Sequence, residues 1–531
     1  MFIPLTPLRC LHRAVDLFGS KIGVVSGGRE FTYREFGDRA ARLAGGLAKV
    51  GIAAGDRVAY LSFNNHQLLE GYYGVTQARA VIMPLNVRLA APELADILCH
   101  SSAKMLIFEN EFAPIAAQLR KACPAVEHWI SIDGIVDPAG LSYEELLCRG
   151  QAVRADISSF DEMSAAELFY TSGSTGAPKG VALSHRTLYL HALAVALLYD
   201  RPQTMVELHT IPLFHANGWG RPQVSTMLGV KQVMVRRFDP PNVLDLIQKH
   251  GATDMCMVPT MAQVLIQTVT SAPGKWDTSS LRRVMIGGAA SSPELVERME
   301  AAFPGCECIA GYGLTETSPV ATTSCWKGVP YGSEVERVRR QAMAGWPIVG
   351  TEVRVVDLEM KDVPRDGKTM GEVVIRGDQV MDGYYGDLEA TRAVMTGEWF
   401  HTGDMAVWDE ESYINIVDRK KEIIISGGEN ISSIEVERAI ASHPAVFECA
   451  VVAAPDDKWG EVPAAIIMCK PGATLTEEEL RGYLEQRLAR YKTPRFFELR
   501  QDPLPKTGTG KIRKMVLREK YWSGKEKRVQ G

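Results

Sequence analysis

At 531 residues the chain exceeds what one hydrophobic core usually organises, so two or more domains are expected, one of them large. Hydrophobic residues at 46% and charged residues at 23% exclude the composition of a disordered chain. A formal net charge of -5 leaves no global basic field for nucleic acid, although residues 514–528 are locally basic and read as a solvated helix end.

From Phe31 to Phe108 amphipathic stretches alternate with short apolar runs. YREFGDRAARLAGGLAKVG reads as a helix, DRVAYLSF as a strand, a second helix runs to Ala78, AVIMPLN is a strand, a helix passes through Ile97, and KMLIF is again a strand. The pattern resumes after Thr204. TMVELHTIPLF, KQVMVRRF, TDMCMVP and RRVMIGGA read as buried strands separated by helices such as 243–250 and 293–302. This alternation implies an α/β domain of layered, largely parallel sheets. Between Gly345 and Trp408 the texture changes to β-rich runs (TEVRVVD, GEVVIRG, WFHTGDMAVW), expected to form a β-barrel-like subdomain, about 345–418, that closes a large domain of residues 1–418. A small, mobile α+β domain, 419–531, follows a hinge expected near 420–422. It is read as a strand, a Gly-Gly turn, the helix SSIEVERAIASH, the strand pair ECAVVAAPD and VPAAIIMCK, and a helix with its cap at Thr474 and Glu478.

The ten cysteines are scattered; Cys306 and Cys308 lie close but lack a CxxC or a His at zinc-ligand spacing, so reduced thiols in a cytosol are expected. MFIPLTPLRC lacks the n-region and h-region of a signal peptide, no apolar run has the length of a membrane span, and the ending RVQG is not a peroxisomal address. A cytoplasmic protein without a transmembrane segment is expected, with a homodimer left open.

The most informative segment is YTSGSTGAPKG, residues 170–180. Thr171, Ser172, Ser174 and Thr175 cluster around Gly173 and Gly176, with Lys179 just beyond. Glycines let backbone N–H groups approach phosphate oxygens, and hydroxyls and a lysine add donors and charge, so the composition suits a triphosphate. A Walker A loop is excluded because no GKS or GKT stands at the required spacing. A flexible Ser/Gly linker does not explain why the run ends in Ala-Pro-Lys-Gly.

With this segment and several others in a fixed order, the chain resembles the adenylate-forming superfamily of acyl-CoA synthetases, amino-acid-activating domains of peptide synthetases, and beetle luciferases. The resemblance runs from about Phe31 to about Lys514. GYGLTETSP, residues 311–319, matches the family segment along the adenine and α-phosphate, which implies nucleotide contacts for Gly311, Tyr312, Gly313 and Thr315. It also implies that Glu316, with Thr171, holds Mg²⁺ on the phosphates, as a hard cation wants carboxylate and phosphate oxygens. HTGD, 401–404, supplies Asp404, and DRKKE, 418–422, supplies Arg419, as implied ribose ligands. Lys421 falls at the family's hinge and among its cofactor contacts. Asp418 departs from the Gly that often precedes this Arg. IISGGENISSIEVE, 424–437, resembles the loop that forms the pantetheine tunnel of coenzyme A, with Gly427 and Gly428 permitting close passage. PLPKTGTGKIRK, 503–514, places Lys511 at the adenylation lysine, where it stabilises charge building on the reacting carboxylate and α-phosphate. FHANGWG, 214–220, and IGGAASS, 286–292, border the implied acyl pocket, with Gly287 and Gly313 beside it and Gly288, Ala289 and Ala290 near adenine. His215 either gates the acid or is a satisfied core group; Trp219 and Met257 either wall the pocket or fill the core.

The implied activity is that of an ATP-dependent acid–thiol ligase. A small-molecule carboxylic acid, ATP and coenzyme A, with Mg²⁺, become acyl-CoA, AMP and pyrophosphate through an acyl-adenylate. Small glycines and the Trp219 cap favour a short- or medium-chain, branched, thioether-bearing or aryl acid. A carrier-dependent module would need a domain after Lys511, where only twenty residues follow. A luciferase-like oxidation is compatible with all of these motifs. A non-catalytic nucleotide sensor is a competing reading, and the joint presence of Lys511, Glu316 and Asp404 speaks against it.

Overall fold

The computed structural model describes residues 2–171, 178–199, 202–427, 429–456, 458–470, 472–506 and 512–523, the side chain of Asn430 excepted. The chain divides into two compact units, residues 1–353 with 375–400, and residues 354–374 with 401–531.

The first unit is built on two large sheets. One has eight strands in the order Gly383–Tyr384, Lys179–Ser184, Ala165–Thr171, Val81–Pro84, Arg57–Leu61, Met105–Phe108, His128–Ser131, Leu141–Ser142. The other has nine, Trp346–Pro347, Val320–Thr323, Glu307–Gly313, Arg283–Gly287, Asp254–Met257, Val206–His209, Lys231–Met234, Ile22–Ser26 and Arg29–Thr32. Their central pairings are parallel, as alternation of strand and helix dictates. Helix Tyr33–Lys49 starts at a capping box in which Thr32 and Glu35 satisfy each other's backbone N–H. Its Phe36, Ala40, Leu43 and Leu47 recur at helical spacing and share one core with Leu68 and Tyr72 of helix His66–Gln77 and with Val24, Val58, Tyr60 and Ile82 of the two sheets. Each such side chain taken from water is worth about 1.5–3 kcal/mol. The run TMVELHTIPLF forms a strand only over Val206–His209. Beyond it Asn64 takes over the backbone: its Nδ2 donates to the carbonyls of His209 (3.0 Å) and Ile211 (2.9 Å), and its Oδ1 accepts from Leu213 N at 2.7 Å.

In the second unit residues 404–408 pair antiparallel with 414–419, and Asp404 stands opposite Arg419. The C-terminal part carries a sheet in the order Glu429–Ile431, Ile424–Ser426, Gly460–Cys469, Val446–Asp456, with Phe496–Arg500 parallel to Gly460–Cys469. Apolar clusters cover both faces, one centred on Ile424, Val436, Val451 and Leu480, the other on Ala450, Ile466, Leu504 and Leu517. Two expectations are corrected. The helix Glu477–Glu485 is capped by Thr476 with Glu479, not by the pair 474 and 478, because the hydroxyl of Thr476 is the one in reach of an N3 backbone N–H. The basic segment after 513 is solvated on one face only over its described part: in helix Lys514–Trp522, Met515 and Lys520 are exposed, whereas Leu517 and Trp522 are buried and Lys514 is 14% exposed among carboxylates.

Candidate active site

In the first unit the phosphate-loop candidate joins two antiparallel strands, with Thr171 opposite Lys179. Thr171 is half-buried at the strand end. Ser172, Gly173, Ser174, Thr175 and Gly176 lie outside the described residues. A third strand, Gly383–Tyr384, pairs with Lys179–Ser184 so that Tyr384 stands opposite Val181. The Lys179 Nζ sits 4.7 Å from the centroid of the Tyr384 ring, within cation–π range.

The segment 311–319 leaves the strand Glu307–Gly313 and turns back into Val320–Thr323. Gly313 is dictated by the turn: a Cβ there would lie 1.7 Å from the carbonyl oxygen of Pro319. Thr317 closes the turn, its Oγ1 accepting from Leu314 N (2.9 Å) and donating to Pro319 O (2.6 Å). The segment 379–384 pins it from outside. Ser318 Oγ donates to Gln379 O at 2.8 Å, Met381 N donates to Glu316 O at 2.8 Å, and Tyr384 Oη donates to Glu316 Oε1 at 2.9 Å. Glu316 is only 8% exposed. Burial, followed by the carboxylate of Glu316, pushes the Tyr384 phenol well above its ordinary range, so it stays a donor. Tyr384 was not legible as a site residue. It sits some seventy positions from Glu316, and only the order of strands brings it there.

Gly287 and Gly311 are register partners at the C-terminal ends of two parallel strands. This is the edge at which open α/β sheets bind ligands. A Cβ at Gly287 would lie 2.6 Å from Gly311 O and 3.1 Å from the Trp219 ring, so Trp219 packs directly on Gly287. Gly288, with φ of 74°, Ala289 and Ala290 follow and are exposed, Tyr312 is half-buried, and Thr315 is buried. His215 is half-buried after the strand Val206–His209. The next five residues, Ala216, Asn217, Gly218, Trp219 and Gly220, all have φ between 45° and 72°. Left-handed backbone costs a residue with a Cβ about 1–2 kcal/mol, so this loop is held against strain. Its holders are named: Asn64 before it and, after it, the buried pair of Arg221 with Glu207, whose Nε–Oε1 distance is 2.9 Å. Trp219, 7% exposed, belongs to an apolar cluster with Ile211, Met285, Ile309 and Val320. Met257 is fully buried in a different cluster and is a core residue.

In the second unit the two ribose candidates meet: Arg419 Nε lies 2.7 Å from Asp404 Oδ1. Beside them Glu372 accepts from Lys420 Nζ (2.9 Å) and Gly403 N (3.2 Å), and its Oε2 lies 3.1 Å from His401 Nδ1. Burial disfavours the Glu372 carboxylate, yet Lys420 and His401 hold it below its ordinary range. Lys421 lies in a turn closed by Glu422 N and Ile423 N on the carbonyl of Arg419, at 2.8 and 3.1 Å. Gly427 has φ of 60°, and a Cβ there would strike the Trp459 ring at 2.6 Å. Gly428 and Lys511 lie outside the described residues. Among the described residues no three His, Cys, Asp or Glu side chains form a metal cluster, and no helix is long and apolar enough to cross a membrane. All ten cysteines are free thiols.

Residues 11–385 match the AMP-binding enzyme family, and residues 435–511 match the AMP-binding enzyme C-terminal domain. The chain is 40% identical to a long-chain-fatty-acid–CoA ligase of Thermus thermophilus, covering 96% of this chain and 94% of that one. It is 35% identical to the 2-methylpropanoate–CoA ligase CCL4 of Humulus lupulus, over 97% and 95% of the two chains. The crystal structure of the anthranilate CoA ligase AuaEII with anthranoyl-AMP superposes with a TM-score of 0.88 at 27% identity, over 98% of each chain. With the motifs in the family's order, and with both family domains matched, the chain belongs to the AMP-binding enzyme family, as an acid–CoA ligase that works through an acyl-adenylate.

Proposed function

We propose that the acid is short- or medium-chain, branched, thioether-bearing or aryl, and that the residues named above carry the two half-reactions. The observation supporting the acid class is the Trp219 ring seated on Gly287 at the strand ends beside Gly311. A bulky indole there shortens the room for an acyl chain. 2-Methylpropanoate, in the name of the Humulus relative, is of the proposed class; the long-chain acid of the Thermus relative is the competitor.

In the first half-reaction the substrate carboxylate attacks the α-phosphorus of ATP, the bond to the bridging oxygen breaks, and pyrophosphate leaves. Positioning and charge neutralisation are the protein's contribution. Thr171, residues 172–176 and Lys179 hold the leaving phosphates. Asp404 and Arg419 take the ribose hydroxyls, residues 311–313 and 288–290 the adenine, and Lys511 the reacting carboxylate. His215 orients the acid. Glu316 fits a Mg²⁺ site: it is a single carboxylate, held by Tyr384 through one oxygen, which suits an ion that takes one or two carboxylates and otherwise phosphate and water. Glu316 and Thr171 would hold the ion, which when bound neutralises phosphate charge.

In the second half-reaction the CoA thiolate attacks the acyl carbonyl and AMP leaves. Lys511 withdraws and the Gly427–Gly428 loop takes its turn, by rotation of a small domain, 419–531, against a large one, 1–418, about Lys421. The family matches, which end at 385 and resume at 435, are compatible with that hinge. A cytoplasmic location accords with ten free thiols. The test is a panel of acids assayed for pyrophosphate release with and without CoA. Release that CoA does not accelerate refutes the acceptor. Highest kcat/KM for acids of about sixteen carbons or more refutes the acid class.

A further inference from the structure

We infer that Lys514 is a positioning residue for adenylate formation, fixing the chain that follows Lys511 relative to Arg419. The inference rests on the roles proposed above for those two residues.

Lys514 opens the helix Lys514–Trp522, three residues after Lys511. Its Nζ donates to Ser433 Oγ at 2.6 Å and lies 2.9 Å from Glu437 Oε1 and 3.4 Å from Glu422 Oε2. Ser433 is itself a bridge, because its backbone N donates to Asp418 Oδ2 at 2.5 Å. Asp418 is fully buried, and its Oδ1 accepts from the N–H of Arg419 at 2.8 Å. Next to it Ser432 Oγ donates to Val417 O at 2.6 Å. Glu437 is held in turn by Val451 N at 2.7 Å. A continuous run of contacts thus leads from the residue before Arg419, across the turn that contains Lys421, to the residue three beyond Lys511. Burial disfavours the Lys514 ammonium, but Glu437, Glu422 and Asp418 outweigh it and hold the lysine charged. Removing that charge leaves the buried carboxylate of Asp418 and the largely buried one of Glu437 without their counter-charge.

The described residues that precede and follow Lys511 are anchored to each other independently. Lys506 and Ile512 form an antiparallel bridge, Arg513 N donates to Pro505 O at 2.7 Å, and Lys506 Nζ lies 2.5 Å from Glu448 Oε2. The described residues on either side of Lys511 are therefore clamped to each other, and Lys514 connects them through Ser433 to Asp418. Adenylation needs Arg419 on the ribose of the nucleotide and Lys511 on the reacting carboxylate of the acid at the same moment, so it needs their separation fixed. Thioester formation, with Lys511 withdrawn, does not. A side chain that only stabilised the small domain would serve both half-reactions equally.

The experiment uses the full-length protein with Lys514→Met, Lys514→Arg and Ser433→Ala. It reads acid-dependent ATP–pyrophosphate exchange and, separately, acyl-CoA formation from preformed acyl-adenylate. Expected for Lys514→Met is a loss of exchange on the order of 10- to 100-fold, the scale of a misplaced catalytic group, with thioester formation within about twofold of wild type. Lys514→Arg restores most of the exchange. Ser433→Ala, which deletes only the bridging hydroxyl, lowers exchange in the same direction by less, and carries the test if Lys514→Met does not fold. Parallel loss in both half-reactions, or unchanged exchange, overturns the inference. Lys511→Ala is run beside them: if it leaves exchange intact, the role of Lys511 fails, and with it this inference, whereas intact exchange only in the Lys514 and Ser433 variants sinks the positioning role alone.

Discussion

Tyr384→Phe removes one oxygen and leaves the ring. The lost atom donates to Glu316 Oε1 at 2.9 Å, while the ring that Lys179 Nζ faces at 4.7 Å is retained. A hydrogen bond to a charged partner is worth about 1.5–3 kcal/mol, and Glu316 at 8% exposed has little water to replace it. At 1.4 kcal/mol per factor of ten, any step that depends on the orientation of that carboxylate should weaken about 10- to 100-fold. If Glu316 holds Mg²⁺, the Mg²⁺ concentration giving half-maximal pyrophosphate exchange rises by that factor. The KM for ATP at saturating Mg²⁺ changes by no more than about threefold, because the cation–π contact survives. The assay is a Mg²⁺ titration of exchange in wild type, Tyr384→Phe and Glu316→Gln. An unchanged midpoint in Tyr384→Phe, with exchange lowered uniformly at all Mg²⁺ concentrations, would refute the argument that Tyr384 acts by aiming Glu316.

Lys511→Ala should slow adenylation by a factor on the order of 10²–10³, as for loss of one preorganised electrostatic donor. Preformed acyl-adenylate should still yield acyl-CoA at a near wild-type rate; parallel loss would show that the lysine acts through folding or CoA binding. Lys421→Pro, which fixes φ near −65° in the turn on Arg419 O, should spare adenylation and impair thioester formation, and equal loss of both would move the pivot elsewhere. Asp366 accepts from Thr369 N (2.7 Å), Lys368 N (2.8 Å) and Thr369 Oγ1 (2.8 Å), which lower its carboxyl from 3.8 to about 2. A depressed carboxyl contributes stability above its unfolded value that is lost as pH falls through the folded one. The urea midpoint of Asp366→Ala should therefore lie below wild type at pH 7, with the gap closing from about pH 4 towards pH 2; a pH-independent gap would contradict the linkage.

Much of the local architecture can be read from the chain alone. The helix Pro293–Ala302 follows from spacing, Pro at its first turn and Ser292 as cap. The strands Arg57–Leu61, Val81–Pro84 and Met105–Phe108 are apolar runs between turns. These signals lie within a few residues of the feature they specify. The helix cap at Thr476 and the strand that stops at His209 show the limit of such reading. Which of two threonines meets an N–H, and which carbonyls Asn64 claims, depends on geometry that composition does not carry.

The sequence by itself determined the alternation that makes the sheets parallel, the Gly–hydroxyl–Lys chemistry of residues 170–180, and the family to which ordered short motifs belong. Each of these is written in neighbouring residues. Tertiary structure decided the rest: that Tyr384 aims Glu316, that Trp219 seats on Gly287 in a strained loop held by Asn64 and Arg221, and that Lys514 in a basic tail is half-buried and tied through Ser433 to Asp418. Those contacts join positions tens to more than a hundred residues apart, and a long-range pairing depends on strand order and packing, for which no local propensity exists.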